Sequence, residues 1–120
     1  MAIVSGCIGG TKTPTEEFKY WNITPHQAFE MTTNTDLYIL DVRTQQEYDE
    51  GHIRDAKLIP LQNLNTRLGE IPKDKNIVVY SDDSRSVNAS EVLINNGFTQ
   101  VYNLEEGIMG WSKAGFGIVK

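Results

Sequence analysis

The sequence predicts a single α/β domain with a largely parallel sheet, and three observations support this prediction. The chain has 120 residues, which suits one domain with a modest core. Short apolar runs of strand length alternate with segments that carry helical patterns, as expected for strands joined by helical crossovers. Segment 76–80 (NIVVY) is rich in β-branched residues, and its unbroken apolar character predicts a strand buried on both faces.

Capping residues predict where the first two helices begin. Thr24 is placed to cap a helix in which Pro25 takes the first position, where a missing N–H is harmless. Thr44 is followed three residues later by Glu47, the spacing of a capping box. We therefore expect one helix from Pro25 and a shorter one that stops before Gly51.

The remaining elements follow from apolar spacing and chain-breaking residues. Leu61, Leu64 and Leu68 have helical spacing, and Gly97 is placed as the stop of a helix. The predicted strands are 37–40, 57–59, 76–80 and 101–102, and the predicted later helices are 61–68, 86–96 and 107–113.

Composition and charge exclude several classes of function. The chain carries 16 acidic and 11 basic side chains, a net charge of −5. A nucleic-acid binder would need a basic face, and so would a protein that docks on anionic lipid. No apolar run approaches the roughly 20 residues that span a bilayer. We expect no nucleic-acid partner and no transmembrane segment.

The N-terminal residues 1–17 predict a flexible tail, and residues 18–120 the folded domain. Segment 4–7 (VSGC) resembles the end of a lipoprotein signal whose upstream part is missing. In that interpretation Cys7 is a lipid anchor and the protein is extracytoplasmic and membrane-anchored. The alternative is an accidental match in a cytoplasmic protein. Cys7 is the single cysteine, so it cannot form an internal disulfide, and no neighbour has metal-ligand spacing.

The loop after the strongest strand is the first candidate site, because ligands of parallel sheets bind at the carboxyl ends of the strands. Backbone N–H groups at a helix start can bind an anion, and Arg85 adds a fixed positive charge. An equally supported alternative pairs Arg85 with the carboxylates of the loop. The loop and helix start consist of Ser81, Asp82, Asp83, Ser84, Arg85 and Ser86.

Motifs over residues 20–120 resemble the rhodanese family. Segment 40–43 (LDVR) matches the family's strand-end motif, and residues of segments 47–60, 78–86 and 97–115 continue the pattern in the same order and at similar spacing. The resemblance implies a parallel-rich sheet of about five strands with helices on both faces. It also implies a site at the end of strand 76–80, where family members keep a cysteine that accepts sulfur as a persulfide and passes it on.

Three departures from the family pattern occur at this site. Ser81 stands in the place of the cysteine, and Arg85 lies one residue closer to that position than is usual. The loop also lacks the usual glycine and carries Asp82 and Asp83. A serine hydroxyl forms no persulfide and ionises far less readily than a thiol, whose free pKa is about 8.5. The two carboxylates oppose an anion such as thiosulfate.

Three functional interpretations remain open. The first is a catalytically inactive homologue that works as a binding or regulatory module through a remnant anion-binding loop or the surface beside it. The second is an active sulfurtransferase, which requires Ser81 to be an engineered replacement or Cys7 to reach the loop. The third is a phosphatase-like activity, which the related enzymes of this fold also perform with cysteine. The partner would be a small sulfur-containing anion or a protein.

Other residues near the motif are assigned supporting roles by the resemblance. We expect Asp41 and Arg43 to lie close to the site, with Asp41 mainly orienting loop backbone, and His52 to be a hydrogen-bonded structural histidine. Two loop carboxylates are usually solvated, so Asp82 and Asp83 do not predict a metal site. The sequence predicts no cofactor.

Overall fold

The structure is a computed structural model that describes residues 19–34 and 36–120. The predictions for Cys7 and for the tail 1–17 lie outside the described residues, as does the predicted start of the domain at residue 18.

A five-stranded parallel sheet forms the centre of the molecule. Its strand order is β1-β6-β5-β2-β4, and each adjacent pair is parallel. Two further strands, β3 and β7, pair antiparallel as a small second sheet. The strands are β1 (Trp21–Ile23), β2 (Leu37–Asp41), β3 (His52–Ile53), β4 (Lys57–Leu58), β5 (Asn76–Tyr80), β6 (Val101–Leu104) and β7 (Ile118–Val119).

Helices connect these strands, and most of them begin and end at or near the predicted residues. Thr24 and Thr44 both cap helices through capping boxes. Gly97 follows the longest helix with a φ of 89°, in the left-handed region that favours glycine. The helices are α1 (Pro25–Met31), α2 (Gln45–Glu50), α3 (Arg85–Asn95) and α4 (Gly107–Lys113).

Some predicted elements differ from the structure. Segment 61–68 forms two 3-10 helices, Leu61–Thr66 and Leu68–Glu70, which are separated at Arg67. Helix α3 begins one residue before the predicted start, strand β6 extends two residues further than predicted, and Ile59 lies outside β4. Strands β1, β3 and β7 were not predicted.

Two apolar clusters lie on opposite faces of the sheet, because successive side chains of a strand point to opposite faces. Leu40 and Val79 face one cluster, together with Leu93 of α3. Ile39 and Val78 face the other, which also contains residues of α1 and α4. The predicted α/β fold with helices on both faces of a five-stranded sheet is therefore confirmed.

The amino ends of β2 and β5 are partly exposed, whereas their carboxyl ends are buried. These ends carry Asp41 and Tyr80, which are register partners in the β2–β5 pair. In the part of the chain that the structure describes, no helix is long and apolar enough to cross a bilayer.

Candidate functional site

Ser81 follows directly after β5 and is buried with 0% exposure. Its backbone carbonyl accepts a hydrogen bond of 3.0 Å from the N–H of Ile108 in α4. Gly107 lies so close that a Cβ there would sit 2.3 Å from the Ser81 carbonyl oxygen. The end of β5 is thus fixed by contact with the start of α4.

The hydroxyl of Ser81 is hydrogen-bonded, both as donor and as acceptor, to backbone groups of residues 83–86. It donates to the carbonyl of Asp83 at 2.8 Å and accepts from the N–H of Ser86 at 3.0 Å. The N–H of Asp83 lies 3.4 Å from the same oxygen. Because the proton goes to a carbonyl, no hydrogen-bonded side chain in the described residues serves Ser81 as a general base.

Ser81 and Asp83 together cap helix α3. Ser84, the residue that precedes the helix, makes no side-chain capping bond. Instead the carboxylate of Asp83 accepts from the N–H of Arg85 at 3.0 Å, and the Ser81 hydroxyl accepts from the N–H of Ser86. Two of the four free N–H groups that begin every helix are therefore satisfied by the loop itself.

Arg85 pairs with three carboxylates, one of which is distant in sequence. Its Nη1 and Nη2 donate to the two oxygens of Glu47 at 2.9 and 3.0 Å. Nε donates to Asp83 at 2.8 Å, and Nη2 also donates to Asp82 at 2.8 Å. Such bidentate, charge-assisted contacts are among the stronger hydrogen bonds in proteins. All three nitrogens of the guanidinium are thereby occupied by oxygens of the protein.

These ion pairs shift the pKa values of the participating groups. The hydrogen bond from Arg85 lowers the pKa of Glu47 from 4.5 to about 2, helped by Thr44. Arg85 likewise lowers the pKa of Asp83. Glu47, followed by Asp83, raises the pKa of Arg85. Glu47 and Asp83 are therefore ionised, and Arg85 is protonated, throughout the neutral pH range.

An external anion would have to displace these internal acceptors. The N–H groups of Arg85 and Ser86, which begin α3, already donate to Asp83 and Ser81. Of the two interpretations of Arg85, the ion-paired arrangement is the one that the structure contains. The anion-binding loop remains a prediction.

Asp41 and Arg43 form a separate buried pair beside Tyr80. The Arg43 guanidinium donates to Asp41 through Nε at 3.0 Å and through Nη2 at 2.7 Å. The Tyr80 hydroxyl donates to the same carboxylate at 2.6 Å and accepts from the N–H of Ile53. The backbone N–H of Arg43 also donates to Asp41. This network joins the ends of β2 and β5 and makes no hydrogen bond to residues 81–86.

His52 lies in the small second sheet, and both its ring and its Nδ1 contact Tyr48. Its ring stacks on Tyr48 at a centroid distance of 3.7 Å, and its Nδ1 lies 2.8 Å from the Tyr48 carbonyl oxygen. Within residues 19–34 and 36–120, no group of three His, Cys, Asp or Glu side chains is arranged to hold a metal ion.

Sequence reasoning did not assign roles at the site to Tyr80 and Gly107. A buried tyrosine needs a hydrogen-bond partner for its hydroxyl. The position of Tyr80 at the end of an aliphatic strand could therefore have indicated a polar contact there. Gly107 gave no local signal, because its close approach to Ser81 depends on the tertiary fold. The sequence predicted a capping role for Glu47, which the structure contains, but not its ion pair with Arg85.

We expect Glu47→Gln to lower the free energy of unfolding by about 1 kcal/mol at pH 7. Glutamine keeps the capping box, so this variant removes mainly the ion pair with Arg85. The pKa of Glu47 is depressed in the folded state, so the pairing contributes fully above pH 4.5 and is lost as the pH falls toward 2. Urea unfolding of both proteins at pH 7, 5 and 3 measures this difference.

The matched control is Glu105→Gln, since Glu105 forms no ion pair with the described residues. A difference between Glu47→Gln and the parent that stayed constant from pH 7 to pH 3 would contradict the pairing.

Comparisons with known proteins agree with this architecture. The family model of the rhodanese-like domain matches residues 24–114. A sulfurtransferase of Allochromatium vinosum is 38% identical over 85 residues, which cover 70% of this chain and 79% of that protein. The thiosulfate sulfurtransferase GlpE of Actinobacillus pleuropneumoniae is 30% identical over 101 residues, covering 82% and 93%.

A solved structure shows the same fold. The crystal structure of a rhodanese-related protein from Thermoplasma volcanium superimposes with a TM-score of 0.77 at 28% identity, covering 83% of this chain and 98% of that one. The resemblance inferred from the motifs is thus confirmed over most of the described residues. The chain belongs to the rhodanese-like domain family, which includes sulfurtransferases.

Proposed function

We propose that this chain is a non-catalytic member of its family, which does not carry sulfur at residue 81 and acts as a binding or regulatory module. The observation that carries the proposal is the hydrogen bonding of the Ser81 hydroxyl. Its buried hydroxyl donates to the Asp83 carbonyl and accepts from the N–H of Ser86. The residue serves as a helix cap in the position where the family keeps its nucleophile.

The chemistry of sulfur transfer supports this proposal. In that reaction a thiolate attacks the outer sulfur of thiosulfate, the S–S bond of thiosulfate breaks, and sulfite leaves with the electron pair. Ser81 has no sulfur atom to hold the transferred sulfur as a persulfide. Arg85, the cation that would hold the anionic donor, is already paired with Glu47, Asp82 and Asp83.

A second candidate is sulfurtransferase activity, and the names of the relatives favour it. Proteins 38% and 30% identical to this chain are named as sulfurtransferases. For this chain to share their activity, residue 81 would have to be cysteine in the active protein, or another thiol would have to reach the site. Cys7 is the single cysteine of the sequence, and it lies outside the described residues.

Transfer of sulfur from thiosulfate to cyanide tests the two candidates directly. We expect the chain to form thiocyanate no faster than a reaction without protein, because the site has no thiolate. The GlpE relative serves as the positive control, and Cys7→Ser as the matched variant without any thiol. Turnover comparable to that of GlpE would overturn the proposal. If the turnover were lost in Cys7→Ser, the second candidate would operate through Cys7.

Restoring the thiol tests whether the rest of the loop has also changed. We expect Ser81→Cys alone to remain about 100-fold or more below GlpE, the usual loss when donors to a developing or bound anion are missing. The guanidinium and the backbone N–H of Arg85 already donate to carboxylates of the protein itself. Combining Ser81→Cys with Asp83→Gly should raise the activity, since it frees two of these donors. Full activity of Ser81→Cys would instead favour the sulfurtransferase candidate.

A further inference from the structure

A pocket with a volume of about 570 Å³ lies beside the amino end of β2. Its lining extends from the turn between α1 and β2 to the small sheet of β3 and β7. None of residues 81–86 lines it, since that loop follows the carboxyl end of the parallel neighbour β5. The volume is within the roughly 300–1,000 Å³ typical of ligand sites. The pocket is therefore a second candidate site, separate from residue 81.

Part of the pocket wall is apolar and aromatic. Ile53 and Trp111 line it and are 2% and 4% exposed. The indole N–H of Trp111 already donates to the Gly117 carbonyl at 3.0 Å, so this ring offers a ligand only apolar contact. Phe29 also lines the pocket and is 46% exposed, although its ring stacks on Phe116 at a centroid distance of 4.2 Å. A ligand with a ring could cover this exposed aromatic surface favourably.

One rim of the pocket is charged. Arg54, Asp55 and Lys57 line it, from the turn after β3 to the start of β4, and all three residues are exposed. None of them forms an ion pair with the described residues, whereas Arg43 and Arg85 are held by carboxylates. Two cations and one carboxylate give the rim an excess of one positive charge, in a chain of net charge −5.

We propose that this pocket binds a small aromatic carboxylate, with its ring against the apolar wall and its carboxylate at the charged rim. The Arg54 guanidinium has the planar geometry that holds a carboxylate through two hydrogen bonds. A single carboxylate matches the single excess charge of the rim. The aromatic wall favours a ligand with a ring over a bare anion such as sulfate. Because the pocket shares no residue with the loop 81–86, binding here is independent of the chemistry at residue 81.

Titration of the isotope-labelled chain with naphthylacetate tests this proposal. We expect amide shifts at residues 53–57 and 117–119, and weaker binding as salt screens the rim. The neutral naphthylacetamide keeps the ring and should bind about fivefold more weakly, the effect of losing one exposed ion pair. Sulfate carries charge without a ring and should leave these amides unshifted at the same concentration.

Substitutions at the rim should change the affinity in opposite directions. Arg54→Gln removes a cation and should weaken binding about fivefold. Asp55→Asn removes the opposing carboxylate and should strengthen binding by a similar factor, and asparagine tolerates the φ of 69° at this position. Phe29→Ala should weaken binding of the carboxylate and of the amide alike. Lys113→Gln and Trp21→Ala are the matched controls, because both residues are exposed and neither lines the pocket.

Four results would overturn the proposal. These are the absence of shifts at millimolar naphthylacetate, equal binding of the amide or of sulfate, unchanged or weaker binding by Asp55→Asn, and shifts at the same residues that depend on protein concentration without the probe. The last result would show that a second copy of the chain covers the apolar wall. Because the titration does not involve sulfur transfer, a positive thiocyanate assay would overturn the non-catalytic function and leave the naphthylacetate result to stand or fall separately.

Discussion

Replacing Asp41 by alanine is expected to lower the free energy of unfolding by about 3–5 kcal/mol, the usual loss when one partner of a buried ion pair is removed. The Asp41 carboxylate is 0% exposed and accepts from Arg43 and from the Tyr80 hydroxyl. Without it, the guanidinium of Arg43 stays buried with no counter-charge, and the Tyr80 hydroxyl loses its acceptor. Urea unfolding followed by circular dichroism measures the change.

Two comparisons separate this mechanism from a general loss of side-chain volume. Glu70→Ala removes one partner of the exposed Arg67–Glu70 pair and should change stability far less than Asp41→Ala, because solvent screens exposed ion pairs. The double variant Asp41→Ala/Arg43→Met removes both charges of the buried pair and should recover part of the loss. If the double variant were less stable than Asp41→Ala alone, the uncompensated charge would not be the cause.

Elements with a local signal were predictable from sequence, whereas elements formed by distant partners were not. Thr24 and Thr44 cap their helices through side chains three residues away, so the sequence itself carries the information. Strand β1 instead depends on β6, about 80 residues later in the chain. Strands β3 and β7 have two residues each and pair over a similar separation. Strands this short lack a pattern that periodicity can detect.

Segment 61–70 illustrates how spacing alone can mislead. Leu61 and Leu64 are three residues apart, which suits one face of an α-helix and equally the three-residue turn of a 3-10 helix. The structure forms the 3-10 alternative and breaks it at Arg67. The α-helical prediction was wrong because spacing over so short a segment does not separate the two geometries.

The position of the candidate site was predictable, but its internal pairing was only partly so. A polar loop after a doubly buried strand placed Ser81 and Arg85 at the carboxyl edge of the sheet, where the structure has them. Pairing of Arg85 with the adjacent Asp82 and Asp83 was foreseeable from sequence proximity. Pairing with Glu47, 38 residues away, depends on where the fold places α2 relative to the first residue of α3. Such contacts arise from tertiary structure and have no local signature.

Gly107→Ala is the second substitution for which we expect a large effect, a loss of about 2–4 kcal/mol. Gly107 has a φ of 64°, which strains any residue with a Cβ. In addition, the new Cβ would lie 2.3 Å from the Ser81 carbonyl oxygen, so α4 and the loop must move apart. That movement would break the hydrogen bond from Ile108 to Ser81 and should shift the amide resonances of residues 81–86.

Two other glycines isolate the causes of this loss. Gly115 has a φ of 92° but nothing within 4 Å of its added Cβ, so Gly115→Ala measures the backbone strain alone, about 1 kcal/mol. Gly69 has neither a positive φ nor a close neighbour, and Gly69→Ala should be nearly neutral. The excess loss in Gly107→Ala over Gly115→Ala then reports the contact between α4 and Ser81. Equal losses, with the loop resonances unmoved, would mean that this contact does not hold the loop in place.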